Sequence, residues 1–320
     1  MNRALVLALG CVAMVASKSA IAEQNQTLSI YAAGTLAGPF HEIAGLFEHA
    51  NPGVSVEPQF GGSVMMAKRI TDLHQAADIL AVADYSVIPK YLFARQDKPA
   101  FAEWYVGFAR NGITFVYTPH SKGAAEITPQ NWFEVLARPG VEIGRSNPDT
   151  DPSGYQTLQM LKLAESYYDK PGLAERVLAN APMSNVRDTE TDLISSLQLG
   201  QIDFLAIYRS DAVQHQLKSI DLPSAIDLSD PALAQSYALA VVQTKNGDLP
   251  GRPIVYAATI PKGAGHRALA AKFLAYMLSP DGQAVIARDG FGTMNPPLAV
   301  NPERVPEPVR AMVKPWPGKS

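Results

Sequence analysis

The stretch TLSIYAAGTLAGPFHEIAGLFEHA, residues 27–50, contains the unit from which much of the chain is built. Its first residues are typical of a short β-strand, and this pattern ends in a glycine turn at Gly34 and Thr35. After Pro39, apolar residues recur at helical spacing until the helix-breaking residues 51–53 (NPG). A strand that passes through a glycine turn into a helix predicts an α/β fold.

The same alternation continues along the chain. Further strands are predicted from β-prone or continuously apolar runs at residues 54–60, 77–84, 111–117, 202–208 and 253–261. Further helices are predicted at residues 66–73, 131–137, 154–168, 191–200 and 266–278. The tail from Asn295 is rich in proline and has little pattern, so we expect it to wrap the surface. In a fold of this kind, ligands gather at the carboxyl ends of the strands.

The N-terminus has the parts of a secretory signal peptide. A short basic start is followed by an apolar run over residues 4–16 and by the small-residue cleavage pattern AIA at residues 20–22. The apolar run is too short to span a bilayer. We therefore expect residues 1–22 to be removed and the mature protein to lie in the periplasm. The alternative is a lipoprotein in which Cys11 carries the lipid.

The composition argues against several classes of protein. A chain of 320 residues can form about two domains, each with its own core. A formal net charge of −3 favours neither nucleic acid nor an anionic membrane as partner. Cys11 is the single cysteine, so a chain cleaved after Ala22 would have no disulfide and no cysteine-ligated metal site. The sequence contains no G-x-S-x-G, H-E-x-x-H or P-loop motif, which argues against an enzyme.

Three turns share one design, in which a small hydroxyl residue lies near a helix start. They are Gly34-Thr35, Gly62-Ser63 and residues 151–154 (DPSG). A helix start offers unpaired backbone N–H groups and the positive end of the helix dipole, and the hydroxyl adds another donor. Three such turns, brought together, would bind a tetrahedral oxyanion. For each turn alone, the alternative is that Thr35, Ser63 or Asp151 only caps its helix.

Nine motifs follow one another along the chain: AAGTLAGPF, FGGSVMMAKRITDL, ADILAVADYSVIP, GRSNPDTDPSGYQTL, LAESYY, IDFLAIYRSDAVQH, LPSAIDLSD, GRPIVYAATIPK and LSPDGQAV. Together they closely resemble the tungstate/molybdate-binding proteins of ABC importers, above all the tungstate-preferring family known widely from archaea. The resemblance runs from about Leu28 to about Phe291 and keeps the order of the motifs.

This resemblance implies a type II periplasmic binding protein, which is an α/β fold of two lobes with a ligand cleft between them. The first lobe would contain residues 23–110 and 256–320, and the second residues 111–255. The resemblance also implies a transport function without enzymatic activity, the membrane permease of an ABC importer as partner, and no cofactor apart from the bound tungstate or molybdate. We expect a monomer.

Position by position, the resemblance also implies a set of ligand-binding residues. Glu190 precedes a helix and is followed eighteen residues later by Tyr208 in a Y-R-S motif, as in the family. The chain departs from the family at Thr35, where serine is usual, at Ser153, where archaeal members often have cysteine, and at Ile207, where an acid is common. Both hydroxyl replacements keep a donor, so we expect them to tune affinity. The implied set is Gly34, Thr35, Ser63, Asp151, Pro152, Ser153, Glu190 and Tyr208.

Two acids in an anion-binding site need a physical reason. A carboxylate about 4 Å from a negative charge is repelled by several kcal/mol at an effective dielectric constant of about 20. The repulsion is avoided if the ligand carries a proton, as hydrogen phosphate does, or if its central atom is a high-valent metal that accepts further ligands. The resemblance favours the second case, in which Asp151 and Glu190 each bond to the metal of tungstate or molybdate and complete six-fold coordination.

The residues themselves leave alternatives open. Glu190 also fits an acid that stabilises a helix start, and Tyr208 also fits a core residue of a buried strand. A binding protein for phosphate or sulfate would use the same turns. A secreted hydrolase would use Ser63 as its nucleophile, although no histidine and aspartate partners stand out near it.

Overall fold

The computed structural model describes residues 26–95 and 99–317, so the predicted signal peptide and Cys11 lie outside the described residues. Two separate sheets with helices packed against them form two α/β lobes, as predicted. The sheet of the first lobe has seven strands, in the spatial order β14 (Lys314–Pro315), β13 (Gly292–Val300), β4 (Tyr105–Arg110), β12 (Val255–Thr259), β3 (Ile79–Val82), β1 (Gln26–Ala33) and β2 (Val54–Gly61). The sheet of the second lobe has five, in the order β7 (Val186–Arg187), β6 (Ile143–Ser146), β8 (Phe204–Tyr208), β5 (Ile113–Tyr117) and β9 (Lys218–Ser219). A separate hairpin pairs β10 (Val241–Thr244) with β11 (Gly247–Pro250).

Helices alternate with these strands over much of the chain. The described α-helices are α1 (Ala37–Ala50), α2 (Ser63–Thr71), α3 (Val87–Leu92), α4 (Trp132–Leu136), α5 (Pro152–Tyr167), α6 (Leu173–Leu178), α7 (Ile194–Gln198), α8 (Arg209–Gln214), α9 (Ser224–Asp227), α10 (Ala234–Tyr237), α11 (Arg267–Leu278), α12 (Pro280–Arg288) and α13 (Glu307–Arg310). Short 3-10 helices cover Gly34–Leu36, Met183–Asn185, Glu190–Leu193, Pro231–Leu233 and Pro302–Arg304.

The first two predicted turns lie side by side at one edge of the first sheet. Strand β1 lies between β2 and β3 and is parallel to both, and its last residue, Ala33, is opposite Gly61 at the end of β2. The chain continues from β1 into the 3-10 helix that begins at Gly34, and from β2 through Gly62 into α2. The carboxyl ends of parallel strands therefore place both glycine turns next to each other.

The second sheet gathers the remaining predicted site residues at one edge in the same way. Strand β6 is parallel to both β7 and β8. Asp151 follows β6, Glu190 follows β7, and Tyr208 is the last residue of β8. All three residues therefore lie at or just beyond the carboxyl ends of parallel strands.

The C-terminal tail differs from its prediction. Instead of only wrapping the surface, residues 292–300 form β13, which pairs antiparallel with β4. The register shifts between Thr293 and Leu298, and this interval contains Pro296 and Pro297. Proline has no N–H to donate to a sheet, so the two prolines interrupt the pairing and hide the strand pattern in the sequence.

Two connections link the lobes. One joins β4 to β5 and the other joins β11 to β12, and they lie side by side, because the backbone N–H of Asn111 donates to the carbonyl oxygen of Ile254 at 3.2 Å. The lobe boundaries at residues 110/111 and 255/256 stay a prediction. Within the described ranges, each helix is too short or too polar to cross a bilayer.

Candidate functional site

Thr35 does not cap a helix, which was the alternative to a ligand-binding role. It lies in the 3-10 helix Gly34–Leu36, which has no side-chain cap. Its Oγ1 lies 2.8 Å from the hydroxyl of Tyr256, and that hydroxyl accepts a hydrogen bond from Asn111 Nδ2 at 3.3 Å. If Tyr256 donates its hydrogen to Thr35, the hydrogen of the Thr35 hydroxyl is free for a ligand. No local pattern points to Tyr256 or Asn111, because their roles depend on contacts with residues distant in the sequence.

Ser63 is also prepared to donate. It is the first residue of α2, is fully buried, and makes no capping hydrogen bond. Its Oγ accepts a hydrogen bond from the backbone N–H of Ala83 at 3.0 Å, so its own hydrogen can point to another acceptor. The hydrogen bonds of the described residues connect Ser63 with no histidine or aspartate side chain, which a serine nucleophile would need.

The third turn brings the two predicted acids together. Asp151 occupies the N-cap position of α5, but its side chain makes no capping hydrogen bond. Pro152 takes the first helical position, where its missing N–H costs nothing. The hydroxyl oxygen of Ser153 lies 3.0 Å from Asp151 Oδ2 and 3.0 Å from Glu190 Oε2. These two carboxylate oxygens are therefore no further apart than twice that distance.

The acid pair is deeply buried, and its hydroxyl donors among the described residues are Ser153 and, for Glu190 Oε2, Thr189 at 3.4 Å. Asp151 is 3% exposed and Glu190 is 1% exposed. The Ser153 hydroxyl has one hydrogen and also lies 2.7 Å from Ser146 Oγ, so it can donate to only one carboxylate at a time. Burial, then the charge of Asp151 and a hydrogen bond shared with it, raise the pKa of Glu190 well above its ordinary value. This shift favours a protonated Glu190.

Tyr208 is placed at the edge of the site, but its hydroxyl points elsewhere. The residue is fully buried, and its hydroxyl donates to Gln156 Oε1 at 2.6 Å. Burial, followed by the neighbouring Tyr256, Asp151 and Glu190, raises the pKa of Tyr208 well above its ordinary value, so the hydroxyl keeps its hydrogen. Whether that hydrogen reaches a ligand therefore depends on Gln156.

A third acid at the site, Asp211, was not predicted from the sequence. It is 1% exposed, and within the part of the chain that the structure describes neither of its carboxylate oxygens has a hydrogen-bond partner. Burial, then the charge of Asp151, raises the pKa of Asp211 well above its ordinary value. Its position in the first turn of α8 is also typical of an acid that stabilises a helix dipole, and that hides it in the sequence.

The two lobes are in contact at this site. A Cβ atom on Gly62 would lie 2.5 Å from the carbonyl oxygen of Thr150 and 3.1 Å from Asp151 Cβ, so the second turn lies directly against the third. A Cβ atom on Gly34 would lie 2.9 Å from the hydroxyl of Thr191, next to Glu190. The lobes are thus closed on each other around the predicted residues.

Cross-lobe hydrogen bonds hold this arrangement. The backbone N–H of Met65 donates to the carbonyl oxygen of Thr150 at 3.2 Å. The hydroxyl of Tyr155, on α5, donates to Asp84 Oδ2 at 2.7 Å, at the end of β3. Of the predicted set, Asp151 and Glu190 both lie within hydrogen-bond distance of the Ser153 hydroxyl, whereas Thr35, Ser63 and Tyr208 bond to residues outside the set.

Comparison with known proteins identifies the family. The sequence profile described as bacterial extracellular solute-binding protein matches residues 28–292. An uncharacterized solute-binding protein of Petrotoga mobilis is 38% identical over 291 residues, which covers 89% of this chain and 89% of the relative. The molybdate/tungstate-binding protein WtpA of Thermococcus kodakarensis is 35% identical over 337 residues, which covers 97% of this chain and 93% of that protein.

Solved structures with the same fold are more distant in sequence. The periplasmic molybdate-binding protein of Azotobacter vinelandii superposes with a TM-score of 0.61 at 20% identity, over 83% of this chain and 99% of that chain. The sulfate-binding protein SubI of Mycobacterium tuberculosis superposes with a TM-score of 0.59 at 14% identity, over 85% and 88% of the two chains. The predicted fold class is confirmed, and the family described is one of binding proteins rather than enzymes. The chain belongs to the family of bacterial extracellular solute-binding proteins.

Proposed function

We propose that this protein is the periplasmic solute-binding component of an ABC importer and that it binds tungstate or molybdate between its lobes. Asp151 and Glu190 bond to the metal of the anion, and hydroxyl and backbone donors of the three turns hold its oxygens. The observation that carries the proposal is the placement of two buried carboxylates within 3.0 Å of a single serine hydroxyl, at the contact between the lobes.

This arrangement distinguishes between kinds of oxyanion. Sulfate and phosphate have central atoms that do not take additional ligands, so both acids would face only their oxygens. Hydrogen phosphate can offer its single proton to only one of the two acids. At about 4 Å and an effective dielectric constant of about 20, a carboxylate that keeps its charge would be repelled by about 4 kcal/mol for each unit charge of the anion. A tungsten or molybdenum centre instead accepts carboxylate oxygens as ligands, so the two acids bind the anion rather than repel it and become the main source of selectivity.

The hydroxyl groups of the first lobe complement the acids. The oxygens of Thr35 and Ser63 each lie within hydrogen-bond distance of a group that can donate to them, so both hydroxyls can donate to an oxo group. The alignment with the Thermococcus kodakarensis relative covers 97% of this chain, and that relative is named a molybdate/tungstate-binding protein, which supports the same ligand. Export to the periplasm is proposed from the signal sequence together with the extracellular family description.

Calorimetric titration of the mature protein tests the proposed function. Tungstate and molybdate should bind tightly, whereas sulfate and phosphate should bind about a thousandfold more weakly or worse, a difference of roughly 4 kcal/mol. Competition between the anions checks that they share one site. Phosphate or sulfate binding as tightly as tungstate would replace the proposal with a general oxyanion site, and absence of tungstate and molybdate binding would refute it.

A further inference from the structure

Gln156 has an unusual environment beside the candidate site. It lies on α5, one turn after Pro152 and Ser153, and is fully buried. Its Oε1 accepts the hydrogen of the Tyr208 hydroxyl at 2.6 Å, but its Nε2 has no hydrogen-bond partner among residues 26–95 and 99–317. An unpaired buried polar group costs about 1–3 kcal/mol and is rare in folded proteins.

The unpaired amide nitrogen leaves room for a second arrangement of this pair. The oxygen and nitrogen of a glutamine amide have nearly the same shape, so half a turn of the amide exchanges them without moving neighbouring residues. After that exchange, Nε2 of Gln156 would donate to the Tyr208 oxygen. The Tyr208 hydrogen would then need a different acceptor.

Tyr208 can serve only one acceptor at a time. Its hydroxyl has a single hydrogen, and burial together with nearby Tyr256, Asp151 and Glu190 raises its pKa, so the hydrogen stays in place. In the structure this hydrogen goes to Gln156, and both residues belong to the second lobe, so their contact does not require the lobes to be closed. An oxo group beside Tyr208 would offer a charged acceptor, for which hydrogen bonds are about twice as strong as for a neutral one.

We propose that Gln156 is a positioning residue for the anion: its amide accepts the Tyr208 hydroxyl in the empty site and reverses when the oxyanion binds, so that Nε2 donates to Tyr208 and Tyr208 donates to an oxo group. The inference rests on the proposed function, because it requires an oxyanion next to Tyr208. It adds a residue that need not touch the ligand and acts through Tyr208.

A double-mutant cycle with tungstate tests this role. Gln156→Met keeps the size of the side chain and removes the amide, and Tyr208→Phe removes the hydroxyl. In the protein that keeps Tyr208, Gln156→Met should weaken tungstate binding about tenfold, because the hydroxyl loses the donor that fixes its direction and strengthens its bond. In the Tyr208→Phe variant the same substitution should change binding less than twofold. An equal effect in both backgrounds, including no effect in either, would overturn the proposal.

Nuclear magnetic resonance of the unmutated protein provides a second readout that does not depend on the variants folding. The side-chain amide signal of Gln156, assigned by its loss in Gln156→Met or by sequential assignment, should shift downfield in proton frequency when tungstate binds, because Nε2 gains an acceptor. Tungstate binding without a change in this signal would overturn the proposal for Gln156 and leave the proposed function intact. A protein that binds neither tungstate nor molybdate would refute both.

Discussion

Glu190→Gln is expected to weaken tungstate binding at least a hundredfold, which corresponds to about 2.7 kcal/mol. The carboxylate supplies one of the two protein oxygens proposed to bond to tungsten, and a neutral amide oxygen is a much poorer ligand for a high-valent metal. Binding is measured by calorimetry, with sulfate titrated in parallel.

Sulfate distinguishes this role from general damage to the site. Glutamine is uncharged like the protonated Glu190 that the raised pKa favours, so sulfate affinity should change little in Glu190→Gln. The control is Glu134→Gln, the same substitution at an exposed position of α4 in the second lobe, which should leave both affinities unchanged. Unchanged tungstate affinity in Glu190→Gln would eliminate Glu190 as a metal ligand.

The same substitution is expected to stabilise the protein when no ligand is present. Asp151 and Glu190 both belong to the second lobe, so they stay close to each other when the lobes open, and burial and Asp151 raise the pKa of Glu190. The unfolded chain therefore loses this proton near its ordinary pKa of about 4.3, whereas the folded protein keeps it to higher pH. The free energy of unfolding of the wild type should therefore fall as pH rises through that interval, and glutamine removes this loss.

Thermal unfolding of the ligand-free proteins at several pH values checks this sign. The melting temperature of Glu190→Gln should exceed that of the wild type, and the difference should grow as the pH rises above about 4.3. Each kcal/mol of wild-type destabilisation that the substitution removes should add about 2–4 °C. Weaker binding together with higher stability is the pattern of a group kept for function. A variant less stable than the wild type at every pH would show that Glu190 has a structural role instead.

Gly62→Ala is expected to weaken tungstate binding by about a hundredfold because it prevents closure of the lobes. The new Cβ atom would lie 2.5 Å from the carbonyl oxygen of Thr150 and 2.8 Å from that of Asp188, and both atoms belong to the backbone of the second lobe. The backbone angles of Gly62, φ −58° and ψ 131°, are open to any residue. The first lobe alone is therefore unstrained, and the clash occurs only in the closed form.

Small-angle scattering with and without tungstate, together with calorimetry, measures this effect. The wild type should become more compact with tungstate, and Gly62→Ala should stay at the size of the open form. Gly45→Ala is the matched control, because an added Cβ atom there meets no atom within 4 Å in the interior of α1. It should keep tungstate binding and increase stability by up to about 1 kcal/mol. Wild-type affinity and compaction in Gly62→Ala would contradict closure around the site.

The parts of the fold that follow a local pattern were predictable from the sequence. The strand, turn and helix around Gly34 were predictable because alternation, glycine and apolar spacing act within a few residues. Strand β13 was not, because Pro296 and Pro297 interrupt its pairing and the partner strand, β4, lies far away in the sequence.

The same distinction applies to the candidate site, where residues in recognisable motifs were predictable and residues defined by packing were not. Asp151 and Glu190 were selected by resemblance, and the structure places them next to one hydroxyl, but their roles as metal ligands stay predictions. Gln156 and Asp211 could not be predicted, because an unpaired buried atom is a property of packing. In the sequence, both residues have the polar character of ordinary helix residues.

X-ray absorption at the tungsten edge of the tungstate complex is the most direct test of the proposed coordination. If Asp151 and Glu190 both bond to the metal, the spectrum should show six oxygen neighbours, four at short oxo distances and two at longer distances, and Glu190→Gln should lose one of the longer two at saturating tungstate. Four equivalent short neighbours in the wild type would mean that tungstate binds as an unmodified tetrahedral anion, and the two acids would then have no role as metal ligands.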